Sequence, residues 1–179
     1  VAWAPGSEGG ELLVQHLNRD QTVLQLLRCR RSDGSCQPIV TEKHDTWVNL
    51  GDDLRVLPDG RFLWGSESSG WRRLNLYAAD GRLLRTVSPE GWAVTSLDAV
   101  VSSGSSGASG ADSQVFFTAY STAELGAIDR HVFRASLNGS PGSGAENLTP
   151  QAGWSTALVA PESGYWVHTW SDADHPFVS

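Results

Sequence analysis

Few side chains in this sequence have the type and spacing to do chemistry. Asp52 and Asp53 are adjacent carboxylates, which could bind a cation or act as an acid and a base. Adjacent acids also suit a polar turn before the apolar run that follows them, and we favour that interpretation. Glu67 follows the aromatic run "RFLWGS", where it could face a cavity or form a salt bridge with Arg72 or Arg73.

The usual catalytic and metal-binding motifs are missing from the sequence. It contains no G-x-S-x-G nucleophile elbow, no C-x-x-C pair and no H-E-x-x-H motif. The histidines lie too far apart for a metal-ligand spacing: His16, His44, His131, His168 and His175. We therefore predict no catalytic residue, no metal site and no cofactor within this chain.

Two cysteines flank the turn at Asp33-Gly34. With a two-residue turn, Arg31 lies opposite Cys36, and Cys29 is the diagonal neighbour at about 7–8 Å. That distance is at the limit for a disulfide, and a small bulge or a wider loop would bring the pair into range. We expect a Cys29–Cys36 disulfide and an oxidising compartment. The alternative is two unpaired thiols on a cytosolic hairpin.

The composition narrows the class of protein. Twenty acids against thirteen Lys and Arg give 179 residues a formal charge of −7, which argues against a nucleic-acid or anionic-membrane surface. No apolar run reaches the roughly 18 residues of a membrane span. The chain contains no Met and begins with Val1, so we expect an internal piece of a longer protein.

The elements that must position these side chains are short strands. Period-two patterns recur, as in "RRLNLYAAD", which places Leu74 and Leu76 on one face and Asn75 and Tyr77 on the other. Four turn dipeptides separate the runs, and each predicts a type I′ hairpin turn with positive φ at both central residues. They are Asp33-Gly34, Asp59-Gly60, Asp80-Gly81 and Asn138-Gly139. We predict a loop in "TAELGAIDRHVF", with at most one helical turn before the strand pattern that follows, and a flexible insertion for the Gly/Ser-rich residues 102–113.

The runs repeat in groups of four, with a period of about 45 residues. Gly91-Trp92 and Gly153-Trp154 each close one group and open the next, the Gly making the turn and the Trp packing between adjacent sheets. We predict an all-β partial β-propeller of about three complete four-stranded antiparallel blades and part of a fourth. A β-sandwich is the structural alternative, but it does not predict internal repetition.

Several motifs resemble the propeller of the dipeptidyl peptidase IV family of serine peptidases. They are "TWVNLGDD", "SESSGWRRLNLY", "SPEGWAV" and "ENLTPQAGW", and they stand in the family's order across almost all of the chain. "NRDQTVLQLL" resembles the family's Asn-Arg-(Asp/Ser)-Gln connection. The sequence departs from the family at Arg73, where His is usual, at Asn75, and at Val87-Ser88, where Leu-Thr is usual.

The resemblance implies that residues 1–179 are a fragment of an N-terminal propeller whose partner, a C-terminal α/β-hydrolase domain, is absent here. The whole enzyme would remove N-terminal X-Pro or X-Ala dipeptides from peptide substrates with a Ser-Asp-His triad. Its Glu pair and its triad match nothing in this chain. By position, Asn49 and Asp52 would lie near the substrate cavity. The resemblance also implies export to a bacterial periplasm, and a gating role for this segment.

Two further expectations concern partners. An interaction propeller without peptidase activity is the alternative function. Because the fourth blade would lack its outer strands, its last strand would be an unpaired edge, and we expect self-association as a homo-oligomer.

Overall fold

The structure, a computed structural model, describes residues 1–5, 10–101, 113–123, 128–139 and 144–177. The predictions for most of the Gly/Ser insertion (102–112) and for 124–127 of the loop lie outside these residues. The chain divides into two compact units after Arg85, Val1–Arg85 and Thr86–Ser179. Every element found in the described residues is a β-strand.

The first unit contains two four-stranded antiparallel sheets. The first sheet has the order β1-β2-β3-β4, and the second β5-β6-β7-β8. Their strands are β1 (Ala2–Ala4), β2 (Glu11–Leu17), β3 (Val23–Arg30), β4 (Cys36–Lys43), β5 (Arg55–Val56), β6 (Phe62–Ser66), β7 (Arg73–Tyr77) and β8 (Leu83–Thr86). A core of Leu13, Leu24, Leu26, Phe62 and Trp64, each at most 1 % exposed, packs the two sheets together.

The second unit contains one four-stranded sheet and one hairpin. The sheet has the order β12-β11-β10-β9, and β13 pairs with β14. Their strands are β9 (Trp92–Val101), β10 (Gln114–Ser121), β11 (His131–Ser136), β12 (Glu146–Asn147), β13 (Trp154–Val159) and β14 (Trp166–Ser171). Ala157, Val159 and Trp166 of the hairpin pack on a buried cluster of Val101, Phe116 and Val132. Within the described residues, three sheets of four strands and one of two confirm the predicted partial β-propeller.

In the second and third sheets, the middle strands β6, β7, β10 and β11 are buried on both faces, whereas β2 and β3 of the first sheet are mostly half-buried. In β7, Asn75 and Tyr77, on the face opposite Leu74 and Leu76, are only 7 % and 6 % exposed, so both faces of this strand are buried. In a strand that is buried on both faces, an alternating pattern does not mark a solvent-exposed face. Asn75 stays partnered, because its Nδ2 donates to the Tyr77 hydroxyl at 3.4 Å.

Gly91-Trp92 and Gly153-Trp154 stand where one sheet ends and the next begins, as predicted, but their tryptophans differ. Gly91 and Gly153 have φ values of 78° and 116°, which suit glycine. Trp92 packs edge-on against Phe133 of its own sheet, with ring centroids 4.8 Å apart. Trp154 lies under the Arg130 guanidinium, whose carbon is 3.8 Å from the ring centroid. The described ring contacts of Trp92 thus fall within one sheet rather than between adjacent sheets.

The predicted type I′ turns are wrong. Gly34, Gly60 and Gly81 have positive φ, but Asp33, Asp59, Asp80 and Asn138 do not. At Leu57–Gly60 the Gly60 N–H donates to the Leu57 carbonyl (3.0 Å) and the Leu57 N–H to that of Arg61 (2.8 Å). This is the pattern of a wider loop that ends in a left-handed glycine. Each of the three aspartates accepts from the backbone N–H two residues on, at 2.9–3.0 Å, so Asp is selected for its side-chain acceptor.

A four-residue loop sets the register of the cysteines. The Gly34 N–H donates to the Arg30 carbonyl (3.0 Å) and the Arg30 N–H to that of Ser35 (2.9 Å). Cys29 therefore lies directly opposite Cys36 rather than diagonal to it, with their Cα atoms 4.0 Å apart. A disulfide joins their sulfurs in the structure.

We predict that this disulfide is present in the protein as isolated without reductant. Mass spectrometry should find both cysteines protected from alkylation, and two alkylatable thiols on fresh protein would contradict the pairing. The double variant Cys29→Ser/Cys36→Ser should lose about 2 kcal/mol of stability, at the low end for disulfides because the closed loop is short. Reductant should lower the unfolding temperature of the wild type but not that of the double variant.

Candidate functional site

The candidate residues Asn49 and Asp52 lie in the connection between β4 and β5, residues 44–54, which contains no strand. Val48 and Leu54 anchor this connection in the core of the first unit. The Val48 N–H also donates to the Gln21 carbonyl at 2.6 Å. Trp47 and Leu50 are 60 % and 57 % exposed. The connection is therefore anchored at Val48 and Leu54, while Trp47, Asn49, Leu50 and Asp52 remain exposed.

Asn49 is held by a residue of the neighbouring turn. Its Nδ2 donates to the Glu67 Oε2 at 2.7 Å. Glu67 begins the turn after β6, which is closed by the Gly70 N–H donating to the Glu67 carbonyl at 2.9 Å. The structure thus brings Glu67 to the candidate residue Asn49, an association that their separation of 18 residues in the chain concealed.

The two adjacent aspartates have opposite surroundings. Asp52 is exposed, and its backbone carbonyl lies 3.5 Å from Arg55 Nη1. Asp53 is only 4 % exposed, and its Oδ2 pairs with Arg72 Nη2 at 2.7 Å. Arg72, one of the two partners considered for Glu67, is therefore engaged by Asp53. Sequence reasoning named both aspartates as a pair and favoured a polar turn, and it did not predict that Asp53 is buried against Arg72.

Two glycines make room for this ion pair. A Cβ on Gly65 would clash with the Asp53 carboxylate and stand 3.0 Å from Arg72 Nε. A Cβ on Gly51 would clash with Arg72 Nη2. Neither glycine has a positive φ, so glycine is needed at these positions for space and not for its backbone conformation. Overfilling a packed site of this kind typically costs about 1–3 kcal/mol.

Gln15 of β2 ties the connection to the first sheet. Its Nε2 donates to the Gly51 carbonyl at 3.0 Å, and its Oε1 accepts from the Trp64 indole N–H at 3.4 Å. The backbone of Gly51 is therefore fixed from one side by Gln15, and its Cα is approached from the other side by Arg72. Asn49 and Asp52 flank this fixed point.

A buried carboxyl lies behind the Glu67 turn. Glu42 of β4 is 9 % exposed, and burial raises the pKa of its carboxyl above the ordinary value of 4.5. The Ser66 hydroxyl and the Glu67 backbone N–H donate to this carboxyl, and both hydrogen bonds oppose the rise in its pKa. The Glu67 carboxylate repels the charged form and raises the pKa further. Burial is the largest of these influences.

The structure also forms one serine–histidine contact that the sequence did not suggest. In hairpin β13–β14, His168 Nε2 lies 3.0 Å from Ser155 Oγ. Burial lowers the pKa of His168, which would suit a general base. Ser155, however, is 0 % exposed, so its hydroxyl cannot reach a substrate. We interpret the contact as a hydrogen bond that satisfies a buried hydroxyl.

The residues around Asn49 are equipped for binding rather than for bond cleavage. They offer carboxylates at Asp52 and Glu67, an amide at Asn49, and exposed apolar surface at Trp47 and Leu50. Within the described ranges, no group of three or more His, Cys, Asp and Glu side chains could hold a metal ion. Nor does that part of the chain include a helix long and apolar enough to cross a membrane.

The sheets and their repeated order define a member of the β-propeller class. Residues 1–177 match the family described as the dipeptidyl peptidase IV (DPP IV) N-terminal region, and the chain belongs to this family. The resemblance inferred from the motifs is thereby confirmed. A solved structure with a similar fold is the dipeptidyl peptidase 4 of Porphyromonas gingivalis, with 26 % sequence identity and a TM-score of 0.73. The match covers 93 % of this chain and 22 % of that one.

The raised pKa of Glu42 predicts a pH-dependent stability. Because the folded pKa exceeds the unfolded one, this carboxyl contributes stability that is complete below about pH 4.5 and is lost as the pH rises through the folded pKa. Glu42→Gln should therefore match the wild type at pH 4 and be more stable at pH 7. Urea denaturation at the two pH values measures this difference. The exposed variant Glu90→Gln is the control and should show no such change, and a Glu42→Gln variant that is destabilised at pH 7 would contradict the argument.

Proposed function

We propose that this chain is a non-catalytic part of the propeller of a dipeptidyl peptidase IV-like serine exopeptidase. The observation that carries the proposal is the family match over residues 1–177, together with a solved dipeptidyl peptidase 4 of similar fold. In the complete enzyme, a C-terminal α/β-hydrolase domain would supply the nucleophile and its base. This segment would gate peptide substrates whose N-terminal X-Pro or X-Ala dipeptides are removed.

Within this role, Asn49 and Asp52 would line the substrate cavity. Two local contacts support this role. Both residues flank Gly51, whose carbonyl is held by Gln15, and the Asn49 amide donates to Glu67 at 2.7 Å. Oriented polar groups beside the exposed Trp47 and Leu50 could contact both the backbone and the side chains of a peptide. A pinned connection keeps these groups in place before the substrate arrives, which reduces the ordering cost of binding.

The proposal includes an exported protein. The Cys29–Cys36 disulfide supports an oxidising compartment, because such bonds persist outside the reducing cytosol. A bacterial periplasm would fit a relative from Porphyromonas gingivalis.

The decisive test compares this chain with the complete polypeptide that contains it. With Gly-Pro and Ala-Pro chromogenic substrates, the chain alone should release no product and the complete polypeptide should release it. In the complete polypeptide, Asn49→Ala and Asp52→Ala should raise KM more than they lower kcat, because they remove binding contacts and not reacting groups. Asp45→Ala, an exposed acid of the same connection, is the matched control and should leave both constants unchanged.

Two results would overturn the proposal. Turnover by a clean preparation of the chain alone would contradict its non-catalytic role. A complete polypeptide that lacks peptidase activity would favour the interaction propeller instead.

We also propose that the chain self-associates through the β13–β14 hairpin. Leu158 and Val167, which pair across its outer face, are 76 % and 51 % exposed, and the adjacent Tyr165 is 81 % exposed. A second copy would cover this apolar surface. Light scattering should show a mass above 19.2 kDa that rises with concentration, and Leu158→Glu should abolish the rise. A wild-type mass fixed at 19.2 kDa at every concentration would contradict self-association.

A further inference from the structure

A group of polar side chains lies on one face of the first sheet, where β2, β3 and β4 approach the cysteine hairpin. In the register of β2 and β3, Glu11 stands opposite Arg30 and Leu13 opposite Arg28. Gln37 of β4 stands opposite Arg28. Directly opposed residues share a face, and so do residues two apart on one strand. Glu11, Arg28, Arg30 and Gln37 therefore project from the same face.

Arg28 is only partly satisfied in this group. Its Nη1 donates to Glu11 Oε2 at 2.8 Å, and the side chains of the two residues are 15 % and 19 % exposed. Its Nε and Nη2 are buried, and no described residue accepts a hydrogen bond from either. Buried donors without an acceptor are costly, and each one calls for an explanation.

The two unpaired nitrogens of Arg28, Nε and Nη2, are the pair that can bind an oxyanion. The Nε–H and one Nη2–H of a guanidinium are parallel and form the side edge that binds two oxygens of one carboxylate or phosphate. Arg28 uses its other nitrogen for Glu11 and keeps this edge unused. Lysine at the same position would supply charge without a matching pair of parallel donors.

A cavity lies beside Arg28, whose Nε and Nη2 are themselves buried in the free protein. It has a volume of about 180 Å³ and is lined by Glu11, Arg28, Arg30, Ser35, Cys36 and Gln37. This volume is several times the roughly 30 Å³ that one water occupies in the liquid, so a small oxyanion has space there. All six lining residues belong to the first sheet or to its hairpin.

The charges around the cavity are mixed, with two arginines and one acid among the lining residues. The arginines are Arg28 and Arg30, and the acid is Glu11. Asp33, in the hairpin loop, lies near Arg30 and accepts from the Ser35 hydroxyl at 2.7 Å. The Ser35 hydroxyl is thus already used as a donor, and recognition of an anion would fall to Arg28, Arg30 and the Gln37 amide.

We propose that this cavity is a binding site for a small oxyanion, a carboxylate or a phosphate group, held by the Nε–Nη2 edge of Arg28. The guanidinium turns this edge toward the cavity when the ligand binds, while Arg30 adds a second positive charge. Glu11 opposes the ligand electrostatically and competes for Arg28. The site is separate from the Asn49 connection and does not depend on peptidase activity.

Acetate and inorganic phosphate are the probes, titrated separately into the 179-residue chain at an ionic strength held constant with sodium chloride. Calorimetry or the unfolding temperature should show saturable binding, and comparison of the two probes identifies which oxyanion the site prefers. Arg28→Lys should weaken binding about tenfold or more, because a charge-assisted hydrogen bond is lost although the charge remains. Glu11→Gln should strengthen it several-fold by removing the competing carboxylate.

Arg31→Lys is the matched control, because Arg31 is exposed on the same hairpin and does not line the cavity. Its affinity for both probes should equal that of the wild type. Circular dichroism establishes that each variant is folded, and if Arg28→Lys does not fold, the opposite effect of Glu11→Gln still tests the site. Absence of saturable binding of either probe to the wild type would overturn the proposal and assign the cavity to ordered water. Equal binding by the wild type, Arg28→Lys and Glu11→Gln would overturn it as well, because such binding would be non-specific.

Discussion

The ion pair between Asp53 and Arg72 is the interaction on which the candidate site depends. It joins the β4–β5 connection to the start of β7, two segments that otherwise have no strand pairing with each other. A charge as buried as that of Asp53 is unfavourable without its partner, so the two segments must be brought together for the chain to fold here. Gly51 and Gly65 leave the space that the pair fills, since a methyl group at either position would clash with it.

Around this pair, each neighbouring contact restricts one more part of the connection. Gln15 fixes the carbonyl of Gly51, Val48 is buried, and Glu67 orients Asn49. Trp47 and Leu50 are exposed, but their backbone is held in place because Val48 and Gly51 beside them are fixed. A connection fixed in this way could present side chains for binding without a catalytic group of its own, which is what the proposed role requires.

Much of the fold could be predicted from the sequence, because strand patterning and repeated turn residues are local signals. The groups of four strands and the division at Gly91-Trp92 are correct for this reason. The turn types were not predictable from Asp-Gly alone, since the aspartate can either take a positive φ or accept a hydrogen bond from the following backbone. The loop at Arg31–Gly34 then changed the register of Cys29 and Cys36. The Asn49–Glu67 and Asp53–Arg72 contacts were missed because they join residues 18 and 19 positions apart across different turns.

The central claim is that Asp53 and Arg72 are energetically coupled and hold the β4–β5 connection in place. A double-mutant cycle with Asp53→Asn, Arg72→Gln and the combined variant measures this coupling most directly. Amide hydrogen exchange of β6 and β7 gives the free energy of opening of the first unit alone. The account predicts a coupling free energy of about 1–3 kcal/mol, and faster exchange of the Val48 amide in each single variant. A coupling below about 0.3 kcal/mol, with Val48 exchanging as in the wild type, would contradict it.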